Sequence, residues 1–237
     1  MSTKDRLAEV WHNVFAVQPD PPLWVILVTL AAALALVIPR QVWPTTRNVV
    51  TIAHEGGHAI VALAFGRKLS GIKLHEDTSG VTISAGKPTG FGVIATTAAG
   101  YIAPALLGLA AVWLLANHHI TGMLWGTLLL LAGMFVAIRN AYGAFTVGVT
   151  GAVIFIVSWW APTVVQGGFA YLLCWFLLLA APRPVVELQM KRRRGEATES
   201  DADQLYRLTG IPGIFWVGVF GVTVLSVLVL GVRWLLF

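Results

Sequence analysis

The chain has 237 residues, of which 57% are hydrophobic and 11% charged, with a formal net charge of +5. Soluble domains carry about 25% charged residues, so this composition excludes a water-soluble globular fold and points to an all-α integral membrane protein. Positive charge in such a chain reports orientation before it reports a partner, so nucleic acid is not expected. The single cysteine, Cys174, excludes an internal disulfide.

From the N-terminus, residues 1–22 form a mixed polar and apolar segment with no cleavable signal, closed by Pro21-Pro22. About seven apolar stretches follow, at 23–38, 48–65, 91–115, 122–138, 144–160, 163–181 and 211–236. Each is near the length that a hydrocarbon core of about 30 Å demands. Only Ala161-Pro162 separates the fifth from the sixth, so those two form either two spans or one broken element. The whole of 1–237 is expected to be one multi-pass domain in the cell membrane, its lipid partner the bilayer.

Two stretches between the spans have character of their own. Residues 69–89 set Ile72-Lys73-Leu74 and Val81-Thr82-Ile83 around Glu76-Asp77-Thr78-Ser79-Gly80, the pattern of a β-hairpin. Residues 182–210 read as a basic loop containing Lys191-Arg192-Arg193-Arg194. Late in that loop, Ser200-Asp201-Ala202-Asp203 has the look of a helix N-cap, and Gly210 and Pro212 mark where the short helix stops. If residues 1–22, 67–90 around the hairpin, 139–143 and 182–210 share a side, they hold thirteen Lys and Arg. The other side keeps only Arg40, Arg47 and Arg233. The positive-inside rule then makes the N-terminal segment, the hairpin and the basic loop cytoplasmic.

The chemistry sits in the second stretch, at His54-Glu55-Gly56-Gly57-His58. Residues four apart share a helix face, so His54 and His58 can offer nitrogens to one metal ion, with Glu55 beside them as general base. Six His and six Glu in this length predict on the order of 0.004 such motifs by chance, so the pattern is specific. Ionisable residues inside a span are costly, and three within five residues point to function. Gly56-Gly57 suits close approach by another backbone, either a substrate strand or a packed helix. Asn140, after the fourth stretch, is placed either to bond substrate backbone or to cap the next helix. His12, His75 and His118-His119 read as surface or interfacial residues. The tryptophans, among them Trp24, Trp43, Trp159, Trp160 and Trp234, read as an interfacial belt.

The motif, the Ala-Ile-Val-Ala-Leu-Ala-Phe-Gly-Arg-Lys that follows it and the hairpin resemble the site-2 protease family of intramembrane metalloproteases. Ala99-Gly100-Tyr101-Ile102-Ala103-Pro104 is similar to the start of that family's next core helix. The likeness is good over 48–110 and looser over 183–216, where Ser200-Asp201-Ala202 resembles a late element of a bacterial branch. The resemblance implies a zinc endopeptidase acting on membrane proteins or membrane peptides, with His54 and His58 as ligands and Glu55 as the base. The family's usual Asn-Pro and Leu-Asp-Gly ligand element is missing here. Through its Ser-Asp-Ala setting the resemblance implies Asp201 as the third ligand, with Glu187 as the alternative. The rival readings are a non-proteolytic scaffold related to the proteases and a metal-binding transporter.

Overall fold

The structure, a computed structural model, describes residues 3–197 and 199–236. In chain order its elements are α1 (Thr3–Phe15), α2 (Leu23–Val37), α3 (Trp43–Ala64), β1 (Lys68–Leu74), β2 (Gly80–Ala85), α4 (Phe91–Ala116), α5 (Ile120–Ala137), α6 (Ala141–Trp160), α7 (Thr163–Ala180), α8 (Pro182–Arg193), α9 (Asp201–Thr209) and α10 (Gly213–Leu236). Helix dominates because lipid offers backbone groups no partners, and an α-helix satisfies them within the segment. Large apolar side chains point outward, with Leu129 and Val136 each 75% exposed and Val229 69%. Such faces are stable only against acyl chains. The protein is a multi-pass membrane protein.

Among the described residues, five helices are long and apolar enough to cross a bilayer: α4, α5, α6, α10 and the run Thr163–Arg193 that joins α7 to α8. The remaining two of the seven expected stretches are also helical. However, α2 has only 15 residues, and α3 is too polar along its length to qualify on composition. A count of seven spans is thus not reached by length and hydropathy. The stretches on either side of Ala161-Pro162 are two separate helices, with Pro162 at the start of α7.

At the centre lies α4, which packs against α3, α7, α9 and α10. Small residues make this possible, since in lipid helices associate through close backbone packing rather than hydrophobic drive. Gly57 of α3 sits directly on Ala99 and Ala103 of α4. That contact, and Met134 beside Gly56, means the glycine pair serves helix packing and not a substrate strand. Trp175, Phe220 and Leu178 fill the interior around it.

Three expectations are corrected here. Helix α3 begins at Trp43, well before residue 48, because Pro44 suits a first helical turn and the Arg47 charge is met 3.5 Å away by Glu187. Trp43 is accordingly no belt residue: it is buried, donates to Glu187 Oε1 at 2.7 Å and lies 4.4 Å beneath the Arg183 guanidinium. The basic loop is largely helix, since α8 runs on from α7 through Pro182 before α9 follows.

The grouping of charges also changes. Gln18 bonds Thr121 and the His118 carbonyl, Asp20 lies 3.1 Å from His118, and Arg6 reaches the Trp159 carbonyl. The segment 3–22 therefore packs at the α4–α5 turn. Residues 1 and 2 lie outside the described residues. The α2–α3 turn instead meets α8, through Arg47–Glu187 and the bonds from Arg183 to the carbonyls of Val37 and Ile38. Loop counting missed this because it assumes that every apolar stretch crosses fully. Moving Lys4 and Arg6 away and Arg47 in leaves the basic end at α8.

Close packing at Gly57 generates a test. Gly57→Ala places a methyl against the Ala103 side chain and should lower stability by about 1–3 kcal/mol. Gly126→Ala, with nothing within 4 Å of the new carbon, should leave it unchanged or raise it. Unfolding midpoints in one detergent compare the two.

Candidate metal centre

The site is built on the face of α3 that meets α4. His54 and His58 lie one helical turn apart, and their Nε2 atoms stand 3.2 Å from each other. His58 Nδ1 donates to the Thr96 carbonyl at 2.7 Å, which leaves Nε2 of the neutral ring with its lone pair turned inward. A carbonyl oxygen has two lone pairs, so the Thr96 oxygen can accept from His58 in addition to its place in α4. The edge of His54 packs on Tyr101, with ring centroids 4.8 Å apart, and Tyr101 in turn stacks on Phe220. Between these residues Gly100 makes the room: a β-carbon there would run into both Nε2 atoms.

The third group arrives from α9. Ser200 caps this helix by accepting from the Asp203 amide, and Gly210 ends it at φ 73°. Ala202 and Leu205 are fully buried and seat the helix against α4 and α10. Arg192 pairs with Asp203 and ties α8 to α9. The first residue of the helix, Asp201, then projects Oδ2 to 3.3 Å from both His54 Nε2 and His58 Nε2.

This triangle fits a metal ion on two counts. Ligands about 2.0–2.1 Å from a tetrahedral zinc ion stand about 3.3–3.4 Å apart, close to the separations seen here. Furthermore, Asp201 Oδ2 is buried and has no hydrogen-bond donor. An orphaned carboxylate oxygen aimed at two ring nitrogens is what a cation would satisfy. Among the described residues, His54, His58 and Asp201 are the His, Cys, Asp or Glu side chains gathered this way.

Glu55 points from α3 toward the hairpin and is only 3% exposed. Thr82 Oγ1 donates to its Oε2 at 2.7 Å. Gly80 lies so close that a β-carbon there would sit 2.6 Å from Glu55 Cγ. At the hairpin tip, Thr51 of α3 donates to the Thr78 carbonyl at 2.9 Å. The two strands pair antiparallel, with Thr82 opposite Ile72. The far edge of β1 is occupied, since the Arg139 amide donates to the Ile72 carbonyl and Asn140 bonds both the amide and the carbonyl of Leu74. Among the described residues, no other backbone segment pairs with the far edge of β2. A cavity of about 1070 Å³ opens over the site, lined by His54, Glu55, His58, Asp201 and most of β2.

Other residues singled out in the sequence fall elsewhere. Glu187 is engaged with Trp43, Arg183 and Arg47 and is not brought to the histidines. Asn140 stands at the N-cap position of α6 but makes no side-chain cap, being occupied by β1. His118 lies at the opposite end with Asp20. The sequence reading passed over Thr82, Thr96 and Gly100. Alternation along β2 puts Gly80, Thr82 and Ser84 on one face, which was the signal available for Thr82. Gly100 falls in the Ala99–Pro104 stretch that carries the resemblance, while nothing local in the sequence marks Thr96.

A family model described as Peptidase M50B-like matches residues 27–231, most of the chain. No curated protein and no solved structure matches it.

Gly100→Ala should weaken metal binding at least tenfold, comparable to losing an outer-shell support, because both imidazoles must move aside. Glu187→Gln should bind metal as the wild type does. Competition with a calibrated chelator reads both, and equal affinity for Gly100→Ala and wild type would refute this packing role.

Proposed function

We propose that this chain, which belongs to the peptidase M50B-like family of site-2 proteases, is a zinc endopeptidase that cleaves peptide bonds of membrane-embedded substrates. Family membership makes it a metallopeptidase of the multi-pass membrane type. The zinc, the residue roles and the substrate class are our reading. The observation that carries it is the triangle of His54, His58 and the unpartnered Asp201 Oδ2, with Glu55 in the same cavity.

In this reading His54, His58 and Asp201 hold the zinc. When bound there, zinc lowers the pKa of water from about 15.7 to about 7 and draws charge from a scissile carbonyl. Glu55 accepts the proton of the attacking water and returns it to the leaving amine. The spanning helices keep bulk water away, and the cavity between α3, α9 and the hairpin admits the substrate. A helical substrate shields its peptide bonds, so it has to unwind at the cleavage site. The free edge of β2 supports capture of the unwound segment by strand addition, whereas the edge of β1 is already taken. The basic end at α8 supports a cytoplasmic position for the site in the cell membrane.

Purified protein in liposomes, offered a single-span peptide with a helix-destabilised segment, tests this reading. Wild type should cleave and carry about one zinc per chain. Glu55→Gln should keep the zinc while turnover falls about 10²–10⁴-fold. Asp201→Ala should lose both. Cleavage that survives Glu55→Gln, or a wild type that holds no zinc when purified without chelators, rules the reading out in favour of a scaffold or transporter.

A further inference from the structure

The inner face of β2 fits Glu55 more closely than hairpin packing requires. Its alternating side chains divide cleanly: Val81 and Ile83 are 42% and 46% exposed, while Gly80, Thr82 and Ser84 turn toward the protein. At each inward position the strand does something specific. Gly80 leaves the space that the Glu55 side chain fills, and a β-carbon there would also stand 2.7 Å from Oε1. Thr82 Oγ1 lies 2.7 Å from Glu55 Oε2 and 3.1 Å from the Glu55 backbone oxygen. With one proton to give, it donates to the nearer acceptor, the Glu55 carboxyl oxygen. Ser84 accepts from Arg67 Nε at 3.2 Å, which pins the open end of the hairpin. The Thr51 bond to the Thr78 carbonyl pins its tip.

We propose that Thr82 is the positioning residue for Glu55, so that the hairpin sets where the Glu55 carboxylate stands. The inference rests on Glu55 as the proton-transfer group. Thr82 reaches no substrate atom; it acts through Glu55 by fixing one carboxylate oxygen, Oε2, and leaving Oε1 beside Gly80. Proton transfer is sensitive to placement, and an ångström of error costs about 100-fold. The same strand carries the unpaired edge. A peptide that adds to β2 steadies the strand and thereby the carboxylate, so substrate occupancy and readiness of the base are linked through one hydroxyl.

Two readouts test this on the full-length protein in detergent or liposomes. The first is kinetic. Thr82→Val keeps the shape and removes the donor, and kcat should fall roughly 10- to 100-fold with KM changed less than about twofold. Thr82→Ser restores the donor and should return kcat to within about threefold of wild type. Zinc content should be unchanged in both. The second readout needs neither zinc nor turnover. Amide exchange over residues 80–85 should quicken in Thr82→Val and in Glu55→Ala alike, and the double variant should exchange no faster than either single variant. Wild-type kcat in Thr82→Val, failure of Thr82→Ser to restore it, or exchange effects that simply add would each overturn the proposal. Cleavage that survives Glu55→Gln would instead sink the role of Glu55 as base, while the exchange measurement would still report whether Thr82 and Glu55 are coupled.

Discussion

Asp201 Oδ2 has no hydrogen-bond donor, lies inside the protein and faces two imidazole nitrogens at 3.3 Å. An ionised oxygen in that position is expensive unless a cation joins it. The rest of the molecule can be understood as the means of holding this arrangement. A capped nine-residue helix aims Asp201, and the Thr96 carbonyl orients His58. The aromatic pair Tyr101 and Phe220 backs His54. Three elements far apart in the chain thus converge on one point, so none of them is a site alone.

Convergence in lipid requires close backbone approach, because apolar side chains gain little by leaving acyl chains for one another. Glycine supplies that approach at the places that matter. Gly57 lets α3 lie against α4, and Gly100 leaves the volume that the two histidine rings occupy. Central α4 therefore acts as a template: its small residues fix how near α3 can come, and it also receives α9 and α10. The polar motif on α3, unfavourable in hydrocarbon, is sheltered on this template and under the hairpin.

The hairpin links the shielded site to whatever enters the cavity. One of its edges is closed by Ile138, Arg139 and Asn140, which continue the sheet's bonding across from α5. Its inner face grips Glu55, and its other edge is unpaired. A strand held along one edge and at both ends is rigid enough to position a carboxylate, and the remaining edge keeps it able to pair.

Composition alone determined that the chain belongs in a bilayer, since 57% apolar residues leave no water-soluble alternative. The i, i+4 spacing of His54 and His58, with Glu55 between them, carried the local chemistry, because helix geometry converts that spacing into a shared face. Hairpin and α9 cap were legible for the same reason: turn residues and an N-cap act over a few positions. What the sequence could not decide was long-range. The place of Asp201 beside the histidines depends on α9 packing against α4 and α10, more than 140 residues from the motif. The engagement of Glu187 with Trp43 and Arg47 removes it from the site, yet both possibilities look alike in one dimension. Likewise the α2–α3 turn meets α8 and the N-terminal segment meets the α4–α5 turn, against the simple alternation of loops. Local patterns are set by bonds and side chains a few residues apart, which sequence displays directly. Ligand geometry and the partners of charged side chains are set by how helices pack, and only the tertiary structure fixes that.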